Sequence, residues 1–215
     1  MQYILFDLDG TLTNPLLGIT KSIQYALSSK GIQITELNSL AKYIGPPLRD
    51  TFMEFDFNKE EAEELVTKYR EYYSVTGLFE NEVYEGIEDL IRKLKEDGKK
   101  LYTATSKPEY FAKIILEHFK LDQYFEDICG ATMDNSRATK EEVIRYALKK
   151  NNIVGLDKVV MIGDREHDVI GAKKVGITSI GVLYGYGSQD ELMDAGADYL
   201  AATVQDVYEI LANMP

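Results

Sequence analysis

From residue 83 to the C-terminus, strand-like and helix-like segments alternate, and this restricts the fold more than any other feature of the sequence. "IEDLIRKLKEDG" is an amphipathic helix closed by Gly98, and "KLYTAT" follows as a strand. A helix over 108–119, a short strand near Ile128 and a helix over 139–151 come next. Then "KVVMIGD", "DVIGAKKVG", "TSIGVL", "SQDELMDAG", "DYL" and "TVQDVYEILAN" read as strand, helix, strand, helix, strand, helix. Strands and helices of these lengths in alternation build βαβ units, so the expected architecture is α/β: a doubly wound, mostly parallel sheet with helices on both faces.

One strand, Tyr3 to Phe6, precedes this region, and the residues between carry helical patterns only. "GITKSIQYALSSKGI" places Ile19, Ile23, Ala26 and Leu27 on one helical face and stops at Gly31. "NKEEAEELVTKYREYY" opens with Asn58 and Glu61 in capping-box spacing and carries Ala62, Leu65, Val66, Tyr69 and Tyr73 on one side. "ELNSLAKYI" and "LRDTFMEF" read as two shorter helices around Gly45–Pro47, with Pro47 suited to a first helical turn. The expected division is an α/β core over 1–13 and 83–215 and a small all-helical insert over 14–82.

The first strand runs directly into "DLDGT". Asp7 and Asp9, at i and i+2, point the same way, and their repulsion must be offset by positive charge, for which a bound cation is the evident candidate. Open α/β sheets place ligands at the carboxyl ends of their strands. That rule gathers Asp7 and Asp9 from the first strand, Thr105, Ser106 and Lys107 from "KLYTAT", and Asp164 with Asp168 after "KVVMI". Lys140, at the start of the preceding helix, joins them. Four carboxylates, hydroxyls and two ammonium groups suit phosphoryl transfer through a covalent intermediate. A carboxylate attacks phosphorus, Mg2+ with all-oxygen ligands screens the anions, Lys and hydroxyl donors hold the phosphoryl oxygens, and a second carboxyl serves as acid and base. Asp7 and Asp9 can divide these tasks.

Composition removes several other classes. The 215 residues are 45% hydrophobic, enough for one good core with a modest second lobe. No apolar run reaches membrane-spanning length, and the N-terminal run, interrupted by Asp7, is too short for a signal peptide. The single Cys129 leaves neither an intrachain disulfide nor a cysteine-built zinc site, and a reducing cytoplasm is the expected compartment. A net charge of −12 argues against a nucleic-acid polymer as partner, so positive charge for a phosphate must be local. The expected partner is a small-molecule phosphate ester, with no membrane involved and a monomer compatible with the sequence.

"DLDGT" after an apolar strand, Thr105 closing the next core strand, Lys140, and "GDREHD" at Gly163–Asp168 resemble, in order, the four motifs of the haloacid dehalogenase superfamily of phosphohydrolases. The helical insert sits where that superfamily carries its C1-type cap. Within it the chain is similar to the phosphoglycolate-phosphatase-like branch. "GITKSIQYAL", "IGPPLRDTF", "TSKP" and "GVLYGYG" most resemble that branch's 5'-nucleotidase members. The resemblance implies Asp7 as nucleophile and Asp9 as acid/base. It implies Mg2+ on the side chains of Asp7 and Asp164 and the main-chain carbonyl of Asp9, with Asp168 behind them. Thr105 and Lys140 would hold the phosphoryl group, and Gly10 would allow close backbone approach. The third motif departs from the common Lys-Pro, reading Lys140-Glu141, and Thr139 with Glu142 forms a capping-box pattern that also suits an ordinary first-turn lysine.

Three functions remain open at this point: a Mg2+-dependent phosphatase of small monoesters such as nucleoside 5'-monophosphates or phosphoglycolate, a β-phosphoglucomutase-like phosphotransferase, and a non-catalytic regulatory module. Lys21 and Arg49 are the insert's candidate substrate contacts, Arg49 offering a guanidinium fork to an anion. His167 is expected at the surface or behind the site, because two aspartates already supply acid and base. Tyr69, Tyr72 and Tyr73 are expected to pack within the insert.

Overall fold

A computed structural model of the protein describes residues 1–134 and 136–214. Its backbone contacts divide the chain into two units, Met1–Asn14 with Val83–Pro215, and Pro15–Glu82.

The first unit contains β1 (Tyr3–Phe6) and the two-residue strand β2 (Thr13–Asn14), and β3 (Glu82–Val83) spans the point where the chain returns to it. After these come β4 (Lys100–Pro108), β5 (Asp127–Ala131), β6 (Val159–Gly163), β7 (Thr178–Val182) and β8 (Tyr199–Ala201). Six of them form one sheet in the order β5-β4-β1-β6-β7-β8, paired in parallel. The helices α4 (Ile87–Glu96), α5 (Glu109–His118), α6 (Lys140–Lys150), α7 (Glu166–Val175) and α8 (Gln189–Ala195) lie between the strands in sequence, and α9 (Val204–Asn213) follows β8.

Leu5, Tyr102, Ala104, Cys129 and Met161 share a core with Val143, Ile144 and Ala147 of α6 and Ala172 and Val175 of α7. Strand alternation sends Ile4, Phe6, Val160 and Ile162 to the opposite face, and these are fully buried too. Burial on both faces is why the central strands read as unbroken apolar runs rather than as alternating ones. Each such side chain contributes about 1.5–3 kcal/mol relative to exposure, so Leu5→Ala would remove both transfer energy and packing.

β1 lies between β4 and β6, and the chain passes from β5 to β6 across β4 and β1 through α6. This crossover makes the β1 end the switch point of the sheet, where an open α/β fold has room for a ligand.

The second unit is built from α1 (Leu16–Ser28), α2 (Leu48–Met53) and α3 (Lys59–Tyr72). Ile19, Ile23, Ala26 and Leu27 of α1 and Ala62, Leu65, Val66 and Tyr69 of α3 are buried, as the helical spacing requires. The Asn58 side chain accepts from the Glu60 and Glu61 N–H groups, and Glu61 closes the capping box. The tyrosines pack locally: Tyr69 stacks on Tyr73 at 5.1 Å and Tyr72 lies against Tyr25 at 5.6 Å.

Two local features differ from the sequence reading. Leu37–Tyr43 is a 3-10 helix rather than an α-helix, and Pro47 caps α2 from an extended conformation, helix beginning at Leu48. After α3 the helix widens into a π-helical turn over Tyr73–Gly77. Among the described residues, no helix is long and apolar enough to cross a membrane.

Candidate active site

Asp7 is the residue after β1, and its N–H donates to the Ile162 carbonyl at 2.8 Å, so the β1–β6 ladder carries it to the carboxyl end of the sheet. The chain then turns tightly, with the N–H groups of Thr11, Leu12 and Thr13 converging on the Leu8 carbonyl. Gly10 has a φ of +81°, and a Cβ there would lie 2.1 Å from Asp164 Oδ2. Only glycine serves both the left-handed turn and the close approach. Asp164 directly follows β6, and Asp168 sits in the first turn of α7, where its Oδ2 accepts the Arg165 N–H at 3.1 Å.

One oxygen from each of Asp7, Asp164 and Asp168 lies within 4.8 Å of the others. Burial raises the pKa of Asp164 well above the ordinary carboxylate range, and the neighbouring Asp168 and Asp7 add to the rise. Burial likewise pushes Asp168 up to about 6, against the pull of Lys140. Three buried carboxylates with too little positive charge between them, offering oxygen donors alone, fit a hard divalent cation such as Mg2+ and not a sulfur- or imidazole-seeking metal.

Lys140 supplies the positive charge that is present. Its Nζ lies 2.9 Å from Asp7 Oδ1 and 2.7 Å from Asp168 Oδ1, and donates to the Ala104 carbonyl at 2.9 Å. Burial by itself would lower the lysine pKa, but the Asp168 and Asp7 charges outweigh it and the net shift is upward. Thr139 and Glu142 do form the capping box, so Lys140 is a first-turn residue that also reaches the site.

Thr105, Ser106 and Lys107 occupy an irregularity in β4. Thr105 pairs with Gly130 and Pro108 with the very next residue, Ala131, so Ser106 and Lys107 are left out of the ladder. A bulge of this kind re-aims side chains. Here the Lys107 ammonium reaches Asp9 Oδ2, while the Lys107 N–H donates to Thr105 Oγ1 at 3.1 Å. Thr105 is buried and Ser106 half-buried. Asp9 is itself displaced upward in pKa by burial, and Lys107 opposes this without cancelling it. Its Oδ1 is buried without a hydrogen-bond partner among the described residues.

Most of the residues expected from sequence therefore meet. Asp7, Asp164, Asp168 and Lys140 form one cluster, and Asp9, two residues beyond Asp7, forms a pair with Lys107. The Asp9 carboxyl is committed to Lys107 rather than to the carboxylate triad. Lys21 and Arg49 belong to the helical unit, where Lys21 pairs with Glu80 at 2.5 Å and Arg49 lies 3.7 Å from Asp50 and 3.6 Å from Glu63. His167 is exposed on α7.

Sequence reasoning did not single out Thr11, whose hydroxyl donates to Asp164 Oδ1 at 3.3 Å. It also passed over Tyr84, Tyr184 and Tyr186. The Tyr186 N–H donates to Asp164 Oδ2 at 2.8 Å, its hydroxyl donates to Asn14 Oδ1, and the Tyr184 hydroxyl donates to the Thr11 carbonyl at 3.2 Å. The Tyr84 and Tyr184 rings meet edge-on at 5.2 Å, and burial pushes the Tyr84 phenol up to about 12. The alternation of tyrosine and glycine in "YGYG" was the available signal.

An α/β sheet whose switch point presents two aspartates on one turn, two more after a later strand and a buried lysine between them defines a phosphoryl-transfer hydrolase core. The chain belongs to the haloacid dehalogenase-like hydrolases, whose family profile matches residues 4–182. It is 45% identical over 211 residues to a 5'-nucleotidase of Pseudomonas aeruginosa, covering 98% of this chain and 95% of that protein. It is 38% identical over 212 residues to the tyrosine-protein kinase PtkA of Mycobacterium tuberculosis, covering 98% of this chain and 72% of the relative. Among solved structures it superposes on a predicted phosphatase from Clostridium acetobutylicum with a TM-score of 0.94 and 50% identity, over 98% of both chains. Within its family the chain is an enzyme of the phosphatase kind, a phosphoric monoester hydrolase.

Proposed function

We propose that the chain is a Mg2+-dependent phosphatase of small organic phosphate monoesters, of the nucleoside 5'-monophosphate or phosphoglycolate type, acting through an aspartyl-phosphate on Asp7. The observation that carries this reading is the different setting of two carboxylates one residue apart. Asp7 lies against the Lys140 ammonium within the acidic cluster, whereas Asp9 is half-buried beside the buried Lys107 with its proton affinity raised. Nucleophile and acid/base need such a separation of environments.

In the first step an Asp7 oxygen bonds to phosphorus as the bond to the ester oxygen breaks, and Asp9 gives its proton to the departing alkoxide. In the second, Asp9 takes a proton from the water that attacks the acyl phosphate, releasing inorganic phosphate and restoring Asp7. Thr105, Ser106, Lys140 and the Gly10 turn hold the phosphoryl oxygens, and Lys107 orients Asp9. Asp7, Asp164 and the Asp9 carbonyl, with Asp168 behind, would hold Mg2+, which would supply positive charge to screen the carboxylates from the anionic substrate.

The helical unit, which begins at Pro15, six residues after Asp9, is assigned the role of a cap, with Lys21 and Arg49 as its candidate substrate contacts. The 5'-nucleotidase relative favours nucleotides among the candidate esters. A phosphate-release screen with Mg2+ over nucleotides, phosphoglycolate and sugar phosphates, read as kcat/KM, tests the proposal. A preference for one small monoester supports it, and the absence of release from every ester in the presence of Mg2+ contradicts it.

A further inference from the structure

The loop after β7 touches both halves of the acidic cluster and reaches the place where the chain leaves the α/β unit. A Cβ at Gly185 would lie 2.3 Å from both Asp164 Cβ and the Gly10 carbonyl, and one at Gly187 would lie 2.0 Å from the Asp164 carbonyl. The absence of side chains at these two positions lets the loop close onto Asp164 and the Asp9–Gly10 turn at once. Between them, the Tyr186 N–H holds Asp164 Oδ2, and Thr11 holds the other oxygen. On the far side of the same residue the phenol is fixed by Asn14 Oδ1. Tyr184 hydrogen-bonds to the Thr11 carbonyl, and the Tyr84 ring, two residues after the helical unit ends, packs edge-on against it.

We propose that Tyr186, anchored through its hydroxyl by Asn14, is a positioning residue that sets the orientation of the Asp164 carboxylate for metal binding. Backbone and side chain of one residue are tied to different partners, so the Asn14 contact fixes where the Tyr186 N–H points. A carboxylate oxygen held by an N–H at 2.8 Å and another held by a hydroxyl at 3.3 Å cannot rotate freely. Supports of this kind around a metal ligand change metal affinity about 10–100-fold when removed. Tyr84 and Tyr184 brace the phenol and the Thr11 turn from the side. The inference rests on the Mg2+ reading of the site given above.

The test uses the full chain with Tyr186→Phe, Asn14→Ala and the double variant, Phe being chosen because it keeps the ring. Mg2+ is titrated against turnover of p-nitrophenyl phosphate, and Tm is measured in excess chelator and again in saturating Mg2+. Each single variant should raise the half-saturating Mg2+ concentration about tenfold and shrink the Mg2+-induced rise in Tm, with the metal-free Tm little changed. The double variant should be no worse than either single, because both remove one contact. Unchanged Mg2+ half-saturation, additive losses, or a loss seen only in the metal-free Tm would each overturn the positioning role. A wild-type enzyme fully active in chelator would instead overturn the Mg2+ reading and this inference with it.

Discussion

Lys140 and Asp168 form an ion pair of 2.7 Å in which each side chain is only 3% exposed. The same ammonium lies 2.9 Å from Asp7, so one buried cation serves two carboxylates on different elements, the β1 end and the start of α7. Removing the cation would leave both anions buried and uncompensated, which is costlier than never having built the pair. Lys140→Met should lower unfolding free energy by about 3 kcal/mol in urea melts and reduce turnover. Lys140→Arg should fail to restore turnover, since a planar fork cannot reproduce a point charge that pairs with Asp7 and Asp168 while donating to the Ala104 carbonyl.

Asp9 is assigned the acid of the first step and the base of the second. With p-nitrophenyl phosphate, whose leaving group departs readily without a proton, Asp9→Asn should give a burst of p-nitrophenol followed by a steady rate at least 100-fold below wild type, on the order expected for loss of general acid–base catalysis. With an alkyl phosphate the burst should vanish, because the first step then also needs the proton. Stopped-flow comparison of the two substrates reads this directly, and equal slowing without a burst on both would remove Asp9 from the role.

Asp164 is a carboxylate whose surroundings oppose its charge. Asp164→Asn can keep an oxygen on the Tyr186 N–H and turn its amide toward the Thr11 hydroxyl, while relieving repulsion from Asp168 and Asp7. The variant should therefore match or exceed the wild-type Tm in excess chelator, yet lose the rise in Tm on Mg2+ addition and lose turnover. Differential scanning calorimetry with and without Mg2+ checks both halves.

Away from the site, Asp127 on β5 accepts from Lys150 at 3.0 Å and Asn151 at 3.0 Å. Partial burial would raise its pKa, but these hydrogen bonds outweigh that and hold it below the ordinary carboxylate value. A depressed folded pKa contributes stability that is present above the unfolded value of about 3.9 and is lost as pH falls through the folded value. Asp127→Asn should be less stable than wild type at pH 7, with the difference closing as pH falls below about 4. Urea unfolding across that range measures it.

Much of this architecture can be read from local pattern. The runs at Tyr3–Phe6 and Val159–Gly163 announce strands buried on both faces, and the capping signals at Asn58 and Thr139 mark helix starts that the structure shows. Asp7, Asp9 and Asp164 stand out because carboxylates at strand ends need a physical reason. The bulge that turns Lys107 onto Asp9 is not legible, because pairing register depends on Gly130 and Ala131 of another strand. Nor is the role of Tyr186, whose partners Asn14 and Asp164 lie 172 and 22 positions away in sequence. The 3-10 form of Leu37–Tyr43 and the π-turn after α3 likewise reflect tertiary packing overriding helical propensity.

The central claim is that phosphorus bonds to Asp7 during turnover. Acid quenching within the first turnovers, reduction of any acyl phosphate with borohydride, and mass spectrometry of the digested chain would locate the reacting carboxylate. The account predicts reduction at Asp7, present only when substrate and Mg2+ are both added and absent in Asp7→Asn. Reduction at another aspartate, or full turnover with no trapped residue at any quench time, would contradict it.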